Sequence, residues 1–161
     1  MFERFTEPAR RVLFFARYEA TELGSTSIDV SHLLLGIIRE SEGLAVQLIA
    51  ASRLSSESIR KEIEARTVCV EKIPTDVEVA FSAEAKRVLT FAAEEADSLK
   101  HDDIGTEHLL LGILREANSL AATVLHNAGM RLNAVRDDVV LRSNHQQAKS
   151  QASRERSSSS P

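Results

Sequence analysis

The chain repeats itself. Slid against itself by about 76 residues, it aligns without a gap from Phe5 against Phe81 to Glu64 against Val140. By count, about 22 of roughly 60 paired positions are identical, far more than shared helical composition produces. They include Ala9/Ala85, Arg11/Arg87, Val12/Val88, Leu13/Leu89, Phe15/Phe91, Glu19/Glu95, Leu23/Leu99, Ile28/Ile104, His32/His108, Gly36/Gly112, Arg39/Arg115, Glu40/Glu116, Leu44/Leu120 and Arg60/Arg136. The fold must therefore be one that a unit of about 60 residues adopts twice.

Apolar spacing divides each copy into four helices. The first places Phe5, Ala9, Val12, Leu13, Ala16, Ala20 and Leu23 on one stripe, repeated at Phe81, Ala85, Val88, Leu89, Ala92, Ala96 and Leu99. Thr6 and Ser82 stand where a hydroxyl accepts from free first-turn amides, and Pro8 is tolerated there because its missing donor would be unpaired anyway. The second helix, Ser31–Glu40 and its twin Glu107–Glu116, is apolar nearly all round, so it is expected at the buried centre of its unit. Gly36 and Gly112 sacrifice helix propensity there, and close approach of a crossing helix would be the return. Leu44–Ala51 and Leu120–Asn127 form a short third helix. Ser55–Arg66 and Leu132–Leu141 form a fourth, with Ser55 a good cap and its counterpart Arg131 a poor one.

The expected fold class is all-α: two tandem four-helix repeats, residues 1–66 and 81–141, packed as one domain. Thr67–Ala80 mixes β-branched residues with Pro74-Thr75-Asp76 and reads as an extended linker around a turn, with brief pairing to itself rather than a sheet. Residues 142–161 run through Ser, Gln, Lys and Arg with no apolar periodicity, and a disordered polar tail is expected.

Composition narrows the function. The low aromatic content, 4% with no Trp, favours helices packed by aliphatic side chains. A formal net charge of −4 offers no positive field for nucleic acid or an anionic membrane. The longest apolar run, Leu33–Ile38, is far short of the roughly 20 residues that cross a bilayer. A lone Cys69 forms no intrachain disulfide, and with no apolar signal segment at the N-terminus the expected setting is the cytoplasm.

Catalytic signatures do not emerge. The sequence holds no G-x-x-x-x-G-K-[ST] segment, nucleophile elbow, H-E-x-x-H or paired-Cys spacing, so neither a cofactor nor enzymatic activity is expected. His101, Asp102, Asp103 and His108 are the one group with metal-ligand chemistry. Their spacing straddles a loop and a helix start, which suits capping and packing better than a closed metal site. Exposed chemistry then falls to the helix starts and the charges beside them: Thr6, Ser82, Glu107 and the Arg39-Glu40 and Arg115-Glu116 pairs. The plain alternative for those pairs is a solvated face with local ion pairs.

Two segments carry a family resemblance. Phe2-Glu3-Arg4-Phe5-Thr6-Glu7 followed by Ala9-Arg10-Arg11-Val12-Leu13, and Gly105-Thr106-Glu107-His108-Leu109-Leu110-Leu111-Gly112-Ile113-Leu114-Arg115-Glu116, resemble the double Clp N-terminal repeat of ClpC-type unfolding ATPases. The resemblance runs from about Met1 to Leu141 and includes no ATPase segment. It implies a pseudo-twofold, all-α domain that presents protein substrates or adaptors to an unfolding ring coupled to the ClpP protease. Relatives without the ring suggest an adaptor, a regulator or a decoy, with Clp ATPase or protease components among the partners.

The resemblance also implies a ligand. In ClpC-like bacterial relatives the domain recognises phosphoarginine on proteins marked for degradation. A carboxylate pairs with the guanidinium while a helix start and its hydroxyl hold the phosphate. Glu107 matches the motif carboxylate of the second copy, with Ser82 as the helix-start hydroxyl. In the first copy Thr6 remains, but Asp29-Val30-Ser31-His32 stands where the family has Gly-Thr-Glu-His, and Ser31 brings no charge. The expected function is a protein-binding module of the Clp system. The competing readings are a self-associating structural module that has lost Clp ligand binding and a metal-dependent enzyme built on the His101 group.

Overall fold

The computed structural model describes residues 2–52, 54–68, 70–74 and 77–158. Helix α1 (Glu7–Glu22) begins at Thr6, whose hydroxyl accepts the Ala9 amide at 3.2 Å, and Pro8 lies in its first turn. A two-residue strand β1 (Ser27–Ile28) leads into α2 (Val30–Glu40), and α3 (Leu44–Ala51) and α4 (Ser56–Arg66) complete the first copy. The second copy follows in the same order, as β2 (Ala80–Phe81), α5 (Ala83–Ser98), α6 (Thr106–Arg115), α7 (Leu120–Asn127) and α8 (Leu132–Ser158). Ser82 caps α5 through the Ala85 amide at 3.1 Å, and Ser55 caps α4 through Ser58 at 3.0 Å. The fold is all-α with two repeats, as the periodicity predicts, apart from a minimal two-stranded sheet.

Each repeat is organised around its apolar helix. Leu33, Leu34, Leu35 and Ile37 of α2, and Leu109, Leu110, Leu111 and Ile113 of α6, are fully buried and belong to one continuous core. α1 lies across α2 and α5 across α6, each pair closing over a glycine. A Cβ at Gly36 would stand 2.5 Å from the Val12 carbonyl oxygen, and one at Gly112 2.6 Å from that of Val88. Only a residue without a side chain allows that approach.

The same pairs are locked by charge. Glu19, 2% exposed, accepts from Arg60 at 2.6 and 3.0 Å and from Arg39 at 3.2 Å. In the second copy Glu95 accepts from Arg136 at 2.6 and 3.0 Å, with Arg115 at 3.8 Å. Burial alone would raise the Glu19 pKa, but the hydrogen bonds and charge of Arg60 and Arg39 outweigh it and hold it below the usual 4.5. Glu40 and Glu116 pair back to α1 and α5, with Arg11 at 3.1 Å and Arg87 at 2.9 Å. The Arg-Glu pairs of the sequence are therefore struts between helices, and their members bond other elements rather than each other.

The two copies exchange their entry segments. Phe5 bridges Ile104 in parallel, while β1 and β2 pair in parallel with Ser27 opposite Ala80 and Ile28 opposite Phe81. The Thr6 amide donates to the Ile104 carbonyl and the Ser82 amide to that of Ile28, both at 3.0 Å. The end of the linker thus pairs with the loop before α2, not with itself. So short a strand gains stability only from a partner already held in place.

Upstream, the linker lies along the end of α1. Val70 and Ile73 donate to the carbonyls of Leu23 and Thr21, and Gly24 takes φ +73° beneath Val70 and Glu71. The Val77 amide donates to the Pro74 carbonyl at 3.1 Å. Cys69 and the Thr75-Asp76 turn lie outside the described residues.

The last helix also departs from expectation. α8 continues through Ser158 instead of ending at Leu141, so the backbone of the polar tail, up to that residue, is helical rather than irregular. The segment is richest in Ser, with Gln, Arg and Ala among it to favour helix. Apolar periodicity registers burial, and this part of the helix has no apolar stripe to bury. Among the described residues no helix is long and apolar enough to cross a membrane.

Candidate functional site

The exchanged segments bring helix starts together across the repeat boundary. With Thr6 hydrogen-bonded to Ile104, the start of α1 lies beside the start of α6. A cleft of about 860 Å³ opens there. Its walls are Thr6 and Pro8 of α1, Glu42 to Leu44 and Gln47 around the start of α3, Gly105 to Glu107 at the start of α6, and Asp138, Leu141 and Arg142 of α8.

Pairing across the boundary changes the expected site. Glu107 shares this cleft with Thr6, the hydroxyl of the first copy, whereas Ser82 lies against Ile28 in the opposite loop. The two pseudo-equivalent places are therefore Thr6 with Glu107 and Ser82 with Ser31. The first joins a hydroxyl to a carboxylate. The second has two hydroxyls and no acid at the motif position.

The start of α6 is shaped by an interlock. Thr106, 3% exposed, accepts the Ala45 amide at 3.1 Å and so caps α3 from the other repeat. Gly43 leaves room for it, since a Cβ there would collide with the Thr106 side chain. At the counterpart positions Val30 replaces Thr106 and Ser119 replaces Gly43, and Ser119 caps α7 itself through Ala122 at 3.1 Å. One repeat borrows its cap and the other carries its own.

His108 fixes the loop before Glu107. Its Nδ1 accepts the Gly105 amide at 2.8 Å, just as His32 Nδ1 accepts that of Asp29 at 2.9 Å. With Nδ1 engaged as an acceptor, the ring proton sits on Nε2, 2.8 Å from His101 Nδ1. Burial, the neighbouring His101 charge and Arg4 push the His108 pKa down, against Glu95, to about 4. His101 and His108 thus spend their facing nitrogens on each other, and the Asp102 carbonyl accepts Arg4 at 3.0 Å. Among the described residues no three His, Cys, Asp or Glu side chains group as metal ligands would. The two repeat-equivalent histidines act as helix caps, within the packing or capping role expected from their positions.

Glu107 is the unbalanced charge of the cleft. Its side chain is 17% exposed and folds back over Gly105, near its own amide. Burial raises its pKa, only partly offset by that amide. Glu42 has Arg11 at 2.9 Å and Asp138 has Arg142 at 3.4 Å. Glu107 has only His108 Nδ1 at 3.3 Å, an acceptor already in use, and so no cation among the described residues. Beside it the Thr6 hydroxyl spends its oxygen on the cap and retains its proton for a ligand. The starts of α1 and α6 add the positive ends of two helices, the Ala9 amide being already given to Thr6. The cleft can therefore hold a cation against Glu107 and an anion against the helix starts.

The sequence points to Thr6, Ser82 and Glu107 and sets Glu107 with Ser82, whereas in the structure Glu107 shares its cleft with Thr6. Sequence reasoning missed Thr106, Gly43 and the α8 residues Asp138 and Arg142. The signal for the first two was the swap of Thr106 and Gly43 for Val30 and Ser119 between copies. The α8 residues gave none.

The chain is similar to known proteins in sequence and fold. A family model for the Clp repeat (R) N-terminal domain matches residues 4–128 and 80–161. The Bacillus subtilis negative regulator of genetic competence ClpC/MecB is 41% identical over 140 residues, covering 87% of this chain and 17% of that protein. The chain thus spans less than a fifth of that curated relative. The N-terminal domain of the Clp protease-associated chaperone ClpD of Arabidopsis thaliana superposes with a TM-score of 0.71 at 27% identity, covering 89% of this chain and 97% of that one. A ClpV N-domain solved in complex with a VipB peptide has a TM-score of 0.69 at 14% identity over 84% of each chain, a likeness of fold. With two internal repeats and a family match over nearly its whole length, the chain belongs to the Clp repeat N-terminal domain family.

Proposed function

We propose that the chain is a protein-binding module of the bacterial Clp chaperone and protease system, acting in the cytoplasm as an adaptor, regulator or substrate-recognition domain. Its cleft between Thr6 and Glu107 reads phosphoarginine on partner proteins. The observation that carries this reading is Glu107, a largely buried carboxylate with no cation among the described residues, sharing a cleft with a helix-start hydroxyl and two helix N-termini. A phosphoguanidinium group supplies both missing charges: the guanidinium plane faces the carboxylate while phosphate oxygens accept from Thr6 and the first-turn amides. The peptide in the ClpV complex supports protein segments as ligands of this fold.

The lopsided repeats make the site single. Ser31 leaves the Ser82 side without a carboxylate, so one equivalent of phosphoarginine is expected per chain. Calorimetry with free phosphoarginine tests this. The expected result is a stoichiometry of one, lost in Glu107→Gln and weakened in Thr6→Val, with Ser82→Ala unchanged. Equal binding by wild type and Glu107→Gln would overturn the reading.

A further inference from the structure

The outer face of α1 carries a second surface. Phe14 follows Arg10 by four residues and is followed by Arg17 at three and Tyr18 at four, so the four share one side of the helix, all of them exposed. Phe14 is 69% exposed and Tyr18 38%, in a chain with only six Phe, one Tyr and no Trp. The repeat provides an internal control for these residues. Their counterparts on α5 are Lys86, Thr90, Ala93 and Glu94, yet α5 packs on α6 and α6 holds Glu95 much as α1 and α2 do in the first copy. The fold does not require rings at positions 14 and 18, and an exposed ring gains nothing from burial.

The rings are held in place. Phe14 meets Phe15 edge-on at 5.7 Å, and the Arg39 guanidinium lies 4.5 Å over Tyr18 and 5.5 Å over Phe15 while anchored to Glu19 at 3.2 Å. Flanking them are two cations with no carboxylate partner among the described residues. Arg10 donates to the Phe2 and Glu3 carbonyls, both at 3.3 Å, and Arg17 is exposed on the next turns. In a chain of net charge −4, this sets two cations beside an aromatic anchor point.

We propose that this face of α1 docks an acidic segment of a partner protein, which seats an aromatic or aliphatic side chain against Phe14 and Tyr18 and sets carboxylates against Arg10 and Arg17. Exposed aromatic and Arg side chains together are what protein interfaces use as anchors. Two free cations are too few for nucleic acid, whose affinity rests on neutralising many phosphates. Phe14 and Tyr18 follow Thr6 by eight and twelve residues, about 12 and 18 Å along the axis. The surface is therefore separate from the Thr6–Glu107 cleft and does not rest on the phosphoarginine reading.

The repeat also supplies the test. The probe is a fluorescein-labelled peptide of 12 Asp and Glu residues interrupted centrally by one Trp and one Leu, titrated by anisotropy. Wild type should bind one equivalent. Phe14→Thr with Tyr18→Glu, which installs the second-copy residues, should weaken binding at least tenfold while the melting temperature falls by no more than about 3 °C, the loss of the Arg39 contact. Arg17→Ala should weaken it several-fold and flatten its salt dependence. Thr90→Phe with Glu94→Tyr, beside the existing Lys86, should create a second equivalent. No binding by wild type, or binding untouched by the Phe14 and Tyr18 changes, overturns the proposal. So does a single-stranded DNA probe that binds this face more tightly than the peptide, or a dimer of this chain that the same changes dissolve.

Discussion

Replacing Thr106 by Val isolates the interlock between the repeats. Val has nearly the shape of Thr, so packing survives and one interaction is lost: the 3.1 Å bond from the Ala45 amide to the Thr106 hydroxyl. Both residues are buried, Ala45 fully and Thr106 to 3% exposure, so water cannot replace the acceptor. An unsatisfied buried donor costs about 1–3 kcal/mol, and a lost helix cap typically about 1 kcal/mol. Removing the desolvated hydroxyl returns part of that, so the expected net loss is about 1–2 kcal/mol. For a domain of this size the melting temperature should fall by roughly 3–6 °C. Urea unfolding measures the loss, and hydrogen exchange should show the Ala45 amide opening faster. Ser119→Ala, which removes the self-supplied cap of α7, should cost about the same as any lost cap. A Thr106→Val protein as stable as wild type, with Ala45 still protected, would refute the claim that α6 caps α3 across the boundary.

Other expectations follow from the packing and the charges. Gly36→Ala and Gly112→Ala each force a Cβ against a backbone carbonyl, and about 1–3 kcal/mol should be lost by denaturant unfolding, despite better helix propensity. Glu19→Gln should destabilise at neutral pH by about 1–2 kcal/mol, less than a fully buried pair because Arg39 and Arg60 remain 41% and 33% exposed. The Glu19 pKa is depressed on folding, so its contribution is complete above 4.5 and fades as pH falls through the lower folded value. The Gln variant should therefore show a shallower acid loss in thermal scans. His108 is also depressed, from 6.5 to about 4, and stays neutral in the fold while the unfolded chain protonates. Stability should consequently decline as pH drops from 6.5 towards 4, and His108→Asn, whose amide oxygen can still accept from Gly105, should flatten that decline.

Much of the architecture is legible because it is written in local periodicity. The 3.6-residue stripes place all eight helices, α3 and α7 with the bounds the structure shows, and the hydroxyls at Thr6, Ser82 and Ser55 cap the helices they precede. α2 and α6 each begin one residue early, at Val30 and Thr106, because Asp29 and Gly105 serve as caps completed by a histidine three residues on. The pairing of Thr6 with Glu107 is not legible in this way. It depends on parallel contacts between segments about a hundred residues apart, and strands of two residues carry no alternation to betray their partner. The site was therefore readable as residue types and not as a constellation. The α8 wall escaped for another reason, since Asp138 and Arg142 face a cleft rather than the core and leave no apolar signature.

The account stands or falls on which hydroxyl works with Glu107. A titration of isotope-labelled protein with phosphoarginine, followed by backbone amide shifts, answers this directly. Shifts at Thr6, Glu7 and Gly105 to Glu107 that saturate together at one equivalent, with Ser82 and Ser31 still, are the predicted result. Shifts at Ser82 together with Glu107 while Thr6 stays unmoved, or two equivalent saturating sites, would contradict it.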